Sequence, residues 1–330
     1  MAHDIIVMGA SVGGIDALKT ILSSLPWDLK ASVFVVLHTT EDSPGLLPDI
    51  LNRGSKIPVL YAVHQMPILP GRVYVAPGGT HHLIIERGRV RLWPGPRENR
   101  HRPSIDAMFR SAAIAYGARV VGVVLTGNLD DGSAGLVDIK RRGGIAIVQD
   151  PEDAIAPSMP TSALENTEVD FSLPVAEIAP KLVELLGTAS APRPELVSET
   201  TEMKRTGQTY SCPECYGVLE EVEEGGLLRF RCRVGHIYSP ESLHADQNLA
   251  VEKALWAAIR SLEEHAEFSS RLASRSLSNK RPRLAARFKE KAEAGREDAT
   301  VLRELLERSA EPVLDLPQEM QAPEERTGTD

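Results

Sequence analysis

The chain has three cysteines in 330 residues, and all of them lie between positions 212 and 232. Three thiols cannot all pair, so a disulfide framework is excluded as the device that holds this length of chain together. Basic residues are also short: 37 Lys and Arg stand against 46 Asp and Glu, a net charge of −9. That balance withholds the cationic footprint of general nucleic-acid binding. No apolar run reaches the length of a membrane span. Nor is there a basic-then-apolar leader, because Asp4 interrupts any such pattern at the N-terminus. These absences predict a cytoplasmic protein that neither spans a membrane nor binds nucleic acid. The length is enough for about two domains with a full core.

What is present begins at Gly9-Ala10-Ser11-Val12-Gly13, with Gly14 following. Residues 4–8 (DIIVM) read as a buried strand, and residues 14–25 carry helical spacing at Ile15, Leu18, Ile21, Leu22 and Leu25. A serine on a tight strand-to-helix turn projects its hydroxyl clear of the backbone, and the amides at the helix start can hold an oxyanion. A phosphate-cradling turn of a dinucleotide domain has similar punctuation. That motif wants glycine at position 11 and an acid ending the second strand. Here position 11 is serine, and the second strand, Ser32–Leu37, ends in His38. The turn by itself fits both chemistries.

His38 adds a second group. In an open parallel sheet, ligand sites form at the carboxyl ends of strands, so Ser11 and His38 share a rim. A third strand, Val120–Leu125, runs into Thr126-Gly127-Asn128-Leu129-Asp130-Asp131-Gly132 and brings a carboxylate to the same rim. A serine needs a base, and the base needs an orienting acid. The chain order Ser, His, Asp differs from the Ser, Asp, His order of the common hydrolase fold that uses this elbow.

Further elements read as a strand at Arg72–Ala76, a hairpin over His82–Trp93 turning at Arg87-Gly88, and a helix over Ser104–Tyr116 with Ser104 as N-cap. A helix at Gly135–Arg142, a strand at Ile145–Val148 and helices at Thr161–Glu165 and Val175–Leu186 follow. The alternation predicts an α/β domain with a doubly wound, mostly parallel sheet, the hairpin being an antiparallel addition. His81 and His82 could face the cleft, but histidines at a strand start read first as solvated. His101 and Arg102 are candidates to meet an acidic substrate, Asp106 reads as an acid suited to a helix N-terminus, and Met159 as a packing or cleft-border residue.

Residues 188–209 are rich in Ser, Thr, Pro and Glu and read as a linker. Cys212-Pro-Glu-Cys215 and Cys232-Arg-Val-Gly-His236 then give the spacing of a Cys3His zinc site, with an intervening hairpin turning at Gly225-Gly226. A redox CxxC would leave Cys232 and His236 unexplained. Four ligands leave no open position, so this zinc is structural. Ser239-Pro240 caps a helix. One stripe of Leu255, Ile259, Leu262 and Ala266 and a second of Leu284, Phe288, Ala292, Ala299, Leu302 and Leu306 predict two antiparallel helices. Residues 311–330 are rich in Pro, Glu and Gln and read as a disordered tail.

GASVGG, LHTT, APGGTHHL, HRPSIDAMFRSAA, VVLTGNLDDGSAGL and PSMP, in that order, resemble the catalytic domain of the CheB chemoreceptor methylesterases over about residues 4 to 187. The resemblance implies a protein-glutamate methylesterase acting on methyl-accepting chemoreceptors, with deamidation of receptor glutamines as a related reaction and no cofactor in the chemistry. It makes Ser11 the nucleophile, His38 the base and Asp131, rather than Asp130, the orienting acid. It places the backbone N–H groups of Val12 and Asn128 at the oxyanion. Family members commonly read LTGMGxDG where this chain reads LTGNLDDG, so Asn128 and Leu129 replace a Met and a Gly.

The resulting expectation is a catalytic domain at 1–187, a linker at 188–209, a zinc-binding module at 210–238, a helical hairpin at 239–310 and a tail at 311–330. The first strand begins at about Asp4, which leaves no room in this sequence for the N-terminal receiver domain of the best-known members. Residues 210–310 are therefore expected to position the enzyme on a substrate or chemosensory partner, leaving small-ester hydrolysis to the first domain alone. Two other classes remain: a non-catalytic signalling scaffold on the same fold, and a nucleotide-binding α/β protein.

Overall fold

The longest apolar runs of the sequence become the middle of a parallel sheet. The computed structural model describes residues 3–39, 45–186, 188, 210–224 and 226–309. Apart from Thr188 the expected linker lies outside the described residues, as do the expected tail and Gly225. Chain order is β1 (Ile5–Ala10), α1 (Gly14–Ser24), β2 (Ser32–Leu37), α2 (Leu47–Asn52), β3 (Val59–Tyr61), β4 (Arg72–Val75), β5 (His82–Glu86) and β6 (Arg89–Trp93). Then come α3 (Ile105–Tyr116), β7 (Val120–Val124), α4 (Ser133–Arg141), β8 (Ile145–Gln149), α5 (Ser158–Asn166), β9 (Phe171–Leu173) and α6 (Val175–Leu186).

Seven strands form one sheet in the order β3-β4-β2-β1-β7-β8-β9, every neighbouring pair parallel. The hairpin β5–β6 is a separate two-stranded sheet, not an addition to the large one. Every residue of β1, β2 and β7 is buried, because helices cover both faces, as parallel sheets require. On one face Ile6, Met8, Val33 and Val35 meet Leu18 and Ile21 of α1 and Leu182 of α6. On the other, Val7, Phe34 and Val36 meet Met108 and Phe109 of α3 and Leu136 of α4. Each such side chain contributes about 1.5–3 kcal/mol by leaving water. The chain winds outward from β1 in both directions, so a crevice opens at the carboxyl ends of β1 and β7, where ligands bind in this architecture.

The module is a four-stranded antiparallel sheet of β10 (Tyr210–Ser211), β11 (Val218–Glu224), β12 (Leu227–Cys232) and β13 (Ile237–Tyr238). Its core is small: Cys212, Leu219, Phe230, Cys232, Tyr238 and Leu243. Two long helices follow, α7 (Pro240–Ser278) and α8 (Pro282–Ser309). Ser239 caps α7 by accepting the Ser242 N–H at 3.0 Å, with Pro240 in the first turn.

Contacts divide the chain into two compact units, Met1–Asp246 and Gln247–Asp330. In the second unit the helical seam is built on Ile259, Ala266, Ala285, Ala292 and Ala299, all buried. Arg296 donates to Ser270 and Arg303 pairs with Glu263 across the antiparallel helices. Leu284, expected in that seam, is exposed, and its neighbour Ala285 takes the place because a small residue lets the helices approach. No described helix is long and apolar enough to cross a membrane.

Candidate active site

Sheet register brings Ser11 and His38 to the same edge. Ala10 of β1 pairs with Leu37 of β2, so the next residues out are Ser11 and His38. The ladder runs one bond past the strands on both sides: His38 N–H donates to Ala10 O at 3.0 Å, and Ser11 N–H to Thr126 O at 2.9 Å. Gly13 follows at φ 76°, the left-handed backbone that turns the chain into α1. Gly127 faces Ser11 so closely that a Cβ there would sit 2.8 Å from Ser11 Cβ. The Gly127 N–H bonds Ala156 O at 2.9 Å, and Met159 N–H bonds Gly127 O at 2.8 Å. Met159 is fully buried and packs beneath this loop.

His38 Nε2 and Asp131 Oδ2 lie 2.8 Å apart, with both side chains almost fully buried. Asp131 is also the anion at the N-terminus of α3. Its oxygens accept the Ile105 N–H at 2.7 Å, the Asp106 N–H at 3.2 Å, the Ser104 hydroxyl at 2.9 Å and Asn99 Nδ2 at 3.2 Å. Burial alone would push this carboxyl up. The His38 bond and charge and the helix amides outweigh it and hold Asp131 below the ordinary carboxylate value. The expected N-cap at Ser104 is present, its oxygen accepting the Ala107 N–H. Asp130 faces elsewhere, accepting the Ser242 hydroxyl at 2.9 Å.

The Ser11–His38 link is open. His38 Nδ1 is buried with no hydrogen-bond partner, which leaves it the acceptor available to a hydroxyl. Catalytic hydrogen bonds of unliganded sites are often made only when substrate arrives. Around the rim, no described residue accepts from the backbone N–H of Val12 or Asn128. Thr126 Oγ1 donates to Val12 O at 2.9 Å and accepts the Ala156 N–H at 2.8 Å, which fixes the two turns against each other. Leu129 takes φ 64°, so the loop keeps a left-handed residue although no glycine is there.

His82 is placed differently from the sequence expectation, and His101 lies against the candidate base. His101 lies flat on His38, ring centroids 3.5 Å apart and planes 7° from parallel. Burial and the neighbouring His38 charge push its pKa down, to about 3. His82, read as solvated, is 1% exposed. Its Nε2 meets Pro96 O at 2.8 Å and its Nδ1 accepts the Ser104 N–H at 3.2 Å, so it braces the start of α3. Only the fold brings these partners together, and a strand-start histidine carries no signal of them.

The CheB methylesterase family model matches residues 6–182, more than half of the chain. The chain belongs to the CheB methylesterase family. A Leptospira interrogans protein is 41% identical over 186 residues, 56% of this chain and 96% of that protein. Protein-glutamate methylesterase/protein-glutamine glutaminase 1 of Geobacter metallireducens is 39% identical over 181 residues, 54% of this chain and 50% of the relative, so the chain spans about half of its length. The crystal structure of the Thermotoga maritima CheB methylesterase catalytic domain is similar with a TM-score of 0.53 at 34% identity, over 56% of this chain and all of that one. Ser11, His38 and Asp131 lie inside the CheB-matched span, and everything from Tyr210 onward lies outside it.

That outer segment packs directly behind Asp131. Asn99 N–H bonds Ile237 O at 2.8 Å and Ile237 N–H bonds Arg97 O at 3.3 Å, so a stretch of the CheB domain runs beside β13. Asn99 Oδ1 accepts the Ser239 N–H at 3.1 Å. Glu98 is clamped by Arg110 at 2.9 and 2.6 Å and by Arg229 at 2.8 Å. Burial pushes Glu98 up, but the two guanidinia hold it down at about 2. Asp106, read as a simple helix-dipole acid, is instead a buried junction. Burial pushes it up to about 8 against the Arg229 charge, while every partner of its oxygens is a donor.

Cys212, Cys215, Cys232 and His236 converge, their ligand atoms all within 4.8 Å of one another. Cys215 Sγ and Cys232 Sγ are 3.6 Å apart, Cys212 Sγ and His236 Nδ1 3.6 Å, and Cys232 Sγ and His236 Nδ1 3.4 Å. A disulfide needs about 2.05 Å. A tetrahedron with metal–sulfur bonds of about 2.3 Å has edges of about 3.8 Å, close to these separations. Backbone turns shape both ligand pairs: Tyr216 N–H bonds Cys212 O at 2.8 Å, and Gly235 N–H bonds Cys232 O at 3.0 Å.

Proposed function

We propose that this chain is a serine esterase that hydrolyses the glutamyl methyl esters of methyl-accepting chemoreceptors, with Ser11, His38 and Asp131 as its reacting set. The observation that carries this reading is the His38–Asp131 pair placed one sheet position from Ser11, at the carboxyl edge of β1. His38 Nδ1 takes the Ser11 hydroxyl proton as Oγ attacks the ester carbonyl. The Val12 and Asn128 N–H groups stabilise the oxyanion, and methanol leaves with a proton from His38. Water then attacks the acyl-enzyme with His38 again as base, freeing the glutamate carboxylate and Ser11. Attack on a glutamine amide follows the same course with ammonia leaving, in keeping with the glutaminase half of the relatives' names.

No cofactor takes part in these steps. Cys212, Cys215, Cys232 and His236 suit zinc, which would complete its four-coordinate shell with them and serve structure alone. A cytoplasmic location fits a substrate that is the cytoplasmic part of a receptor. The C-terminal helices offer a surface for chemosensory partners. Release of methanol from methylated receptor by the wild type and by Ser11→Ala tests the assignment. Release by Ser11→Ala at the wild-type rate would overturn it.

A further inference from the structure

Arg229 belongs to the Cys/His module, yet its side chain ends among the carboxylates behind Asp131. It is 3% exposed. Its guanidinium reaches Glu98 Oε1 at 2.8 Å, Asn99 Oδ1 at 3.4 Å and Asp106 Oδ2 at 3.4 Å. The same Asp106 oxygen accepts Asn99 Nδ2 at 2.8 Å, and that Nδ2 also donates to Asp131 Oδ1 at 3.2 Å. The other Asp106 oxygen accepts the N–H groups of Gly132 and Gly135, at 3.0 and 2.7 Å. Gly132 is the residue after Asp131. One guanidinium thus steadies an amide that bonds Asp131 and a carboxylate that fixes the backbone beside it.

Resting on the reading of Ser11, His38 and Asp131 as the reacting set, we propose that Arg229 is a positioning residue for ester hydrolysis. Held by the module, it fixes the Asn99 and Asp106 side chains that keep Asp131 against His38. Without it, Asn99 Oδ1 and Asp106 Oδ2 lose the guanidinium that ties both of them to Glu98. The Asn99 side chain, no longer held at its oxygen by the guanidinium, is then free to swing its Nδ2 away from Asp131 Oδ1. Lysine cannot replace the fork, because one ammonium does not span Glu98, Asn99 and Asp106 together.

The test uses the full chain, with p-nitrophenyl acetate as substrate and folding followed by near-UV circular dichroism. Ser11→Ala is expected to be inactive. Arg229→Lys keeps the charge and the fold, and its kcat is expected to fall about tenfold with KM unchanged; Arg229→Met should fall about a hundredfold. Arg231→Ala, on the same strand but paired with Glu224 at the surface, should stay within about twofold of wild type. The downfield proton resonance of the His38–Asp131 hydrogen bond should shift in Arg229→Lys and not in Arg231→Ala. A folded Arg229→Lys with wild-type kcat and an unshifted resonance, beside an inactive Ser11→Ala, would overturn the positioning role. An active Ser11→Ala would instead overturn the reacting set. If Arg229→Met does not fold, Arg229→Lys decides.

Discussion

His101 lies flat against His38, 3.5 Å between ring centroids, and is itself largely withdrawn from water. A second imidazole on the face of the candidate base stays useful only while it is neutral, because His38 in its proposed role would become an imidazolium during turnover. Burial secures this by holding the His101 pKa at about 3, below the 6.5 of a free side chain.

That shift makes the fold acid-sensitive. In the window between 6.5 and about 3 the unfolded chain binds a proton at His101 that the folded chain does not. Stability present above pH 6.5 is therefore lost as pH falls, by up to about 2 kcal/mol at pH 5. Urea unfolding of wild type and His101→Asn at pH 7 and pH 5 checks this. The variant should lose less stability than wild type between the two conditions, and equal losses would refute the assignment to His101.

Asp131→Asn should damage both chemistry and folding. All the partners of its oxygens other than His38 are N–H or O–H donors: Ile105, Asp106, Ser104 and Asn99. An amide must turn an NH2 group toward some of them, at a cost of about 1–3 kcal/mol. Turnover should fall by about 10³–10⁴-fold, the scale of triad acids changed to amides. A variant with the wild-type melting temperature would show that the α3 N-terminus does not depend on the anion.

Leu129 occupies a left-handed conformation at φ 64°, which costs a residue with a Cβ about 1–2 kcal/mol. The loop holds it there through Gly127 and through the Ser158 hydroxyl on Leu129 O at 3.2 Å. Leu129→Gly removes the strain and frees the unfolded chain, for a net gain of up to about 1 kcal/mol. Leu129→Val, branched at Cβ, should lose at least about 1 kcal/mol. The order Gly, Leu, Val in urea midpoints is the expected result.

The sheet was legible because its strands are buried on both faces and read as unbroken apolar runs, such as VVGVV at β7. α6 begins and ends where its periodicity does. The short edge strands β3 and β9, three residues each, are too brief to show a period and were not foreseen. Ser11 and His38 were legible as residues that follow strands. Asn99, Asp106 and Arg229 were not, because each acts through partners far away in the chain: Arg229 and Glu98 are 131 residues apart. In LLRFRC, Arg229 looks like any charge on a half-exposed strand. Only the packing of β12 against residues 98–106 gives it a buried anionic site.

Removing the module therefore tests the sequence expectation that left hydrolysis of a small ester to the first domain alone. Ending the chain near residue 190 removes Arg229 from Glu98 and Asp106, the Ser239 N–H from Asn99 and the Ser242 hydroxyl from Asp130. Glu98 keeps Arg110, but Asp106 has no other cation on its oxygens among the described residues. Water reaches the exposed face and spares part of the cost. The truncated chain should fold but melt lower, and its kcat for p-nitrophenyl acetate should fall about tenfold or more. Chelation of the full chain should move kcat the same way, since β12 ends in Cys232, one of the four proposed zinc ligands. Elemental analysis before and after treatment ties the change to about one zinc per chain. Unchanged small-ester turnover after truncation would return the module to the role of a tether.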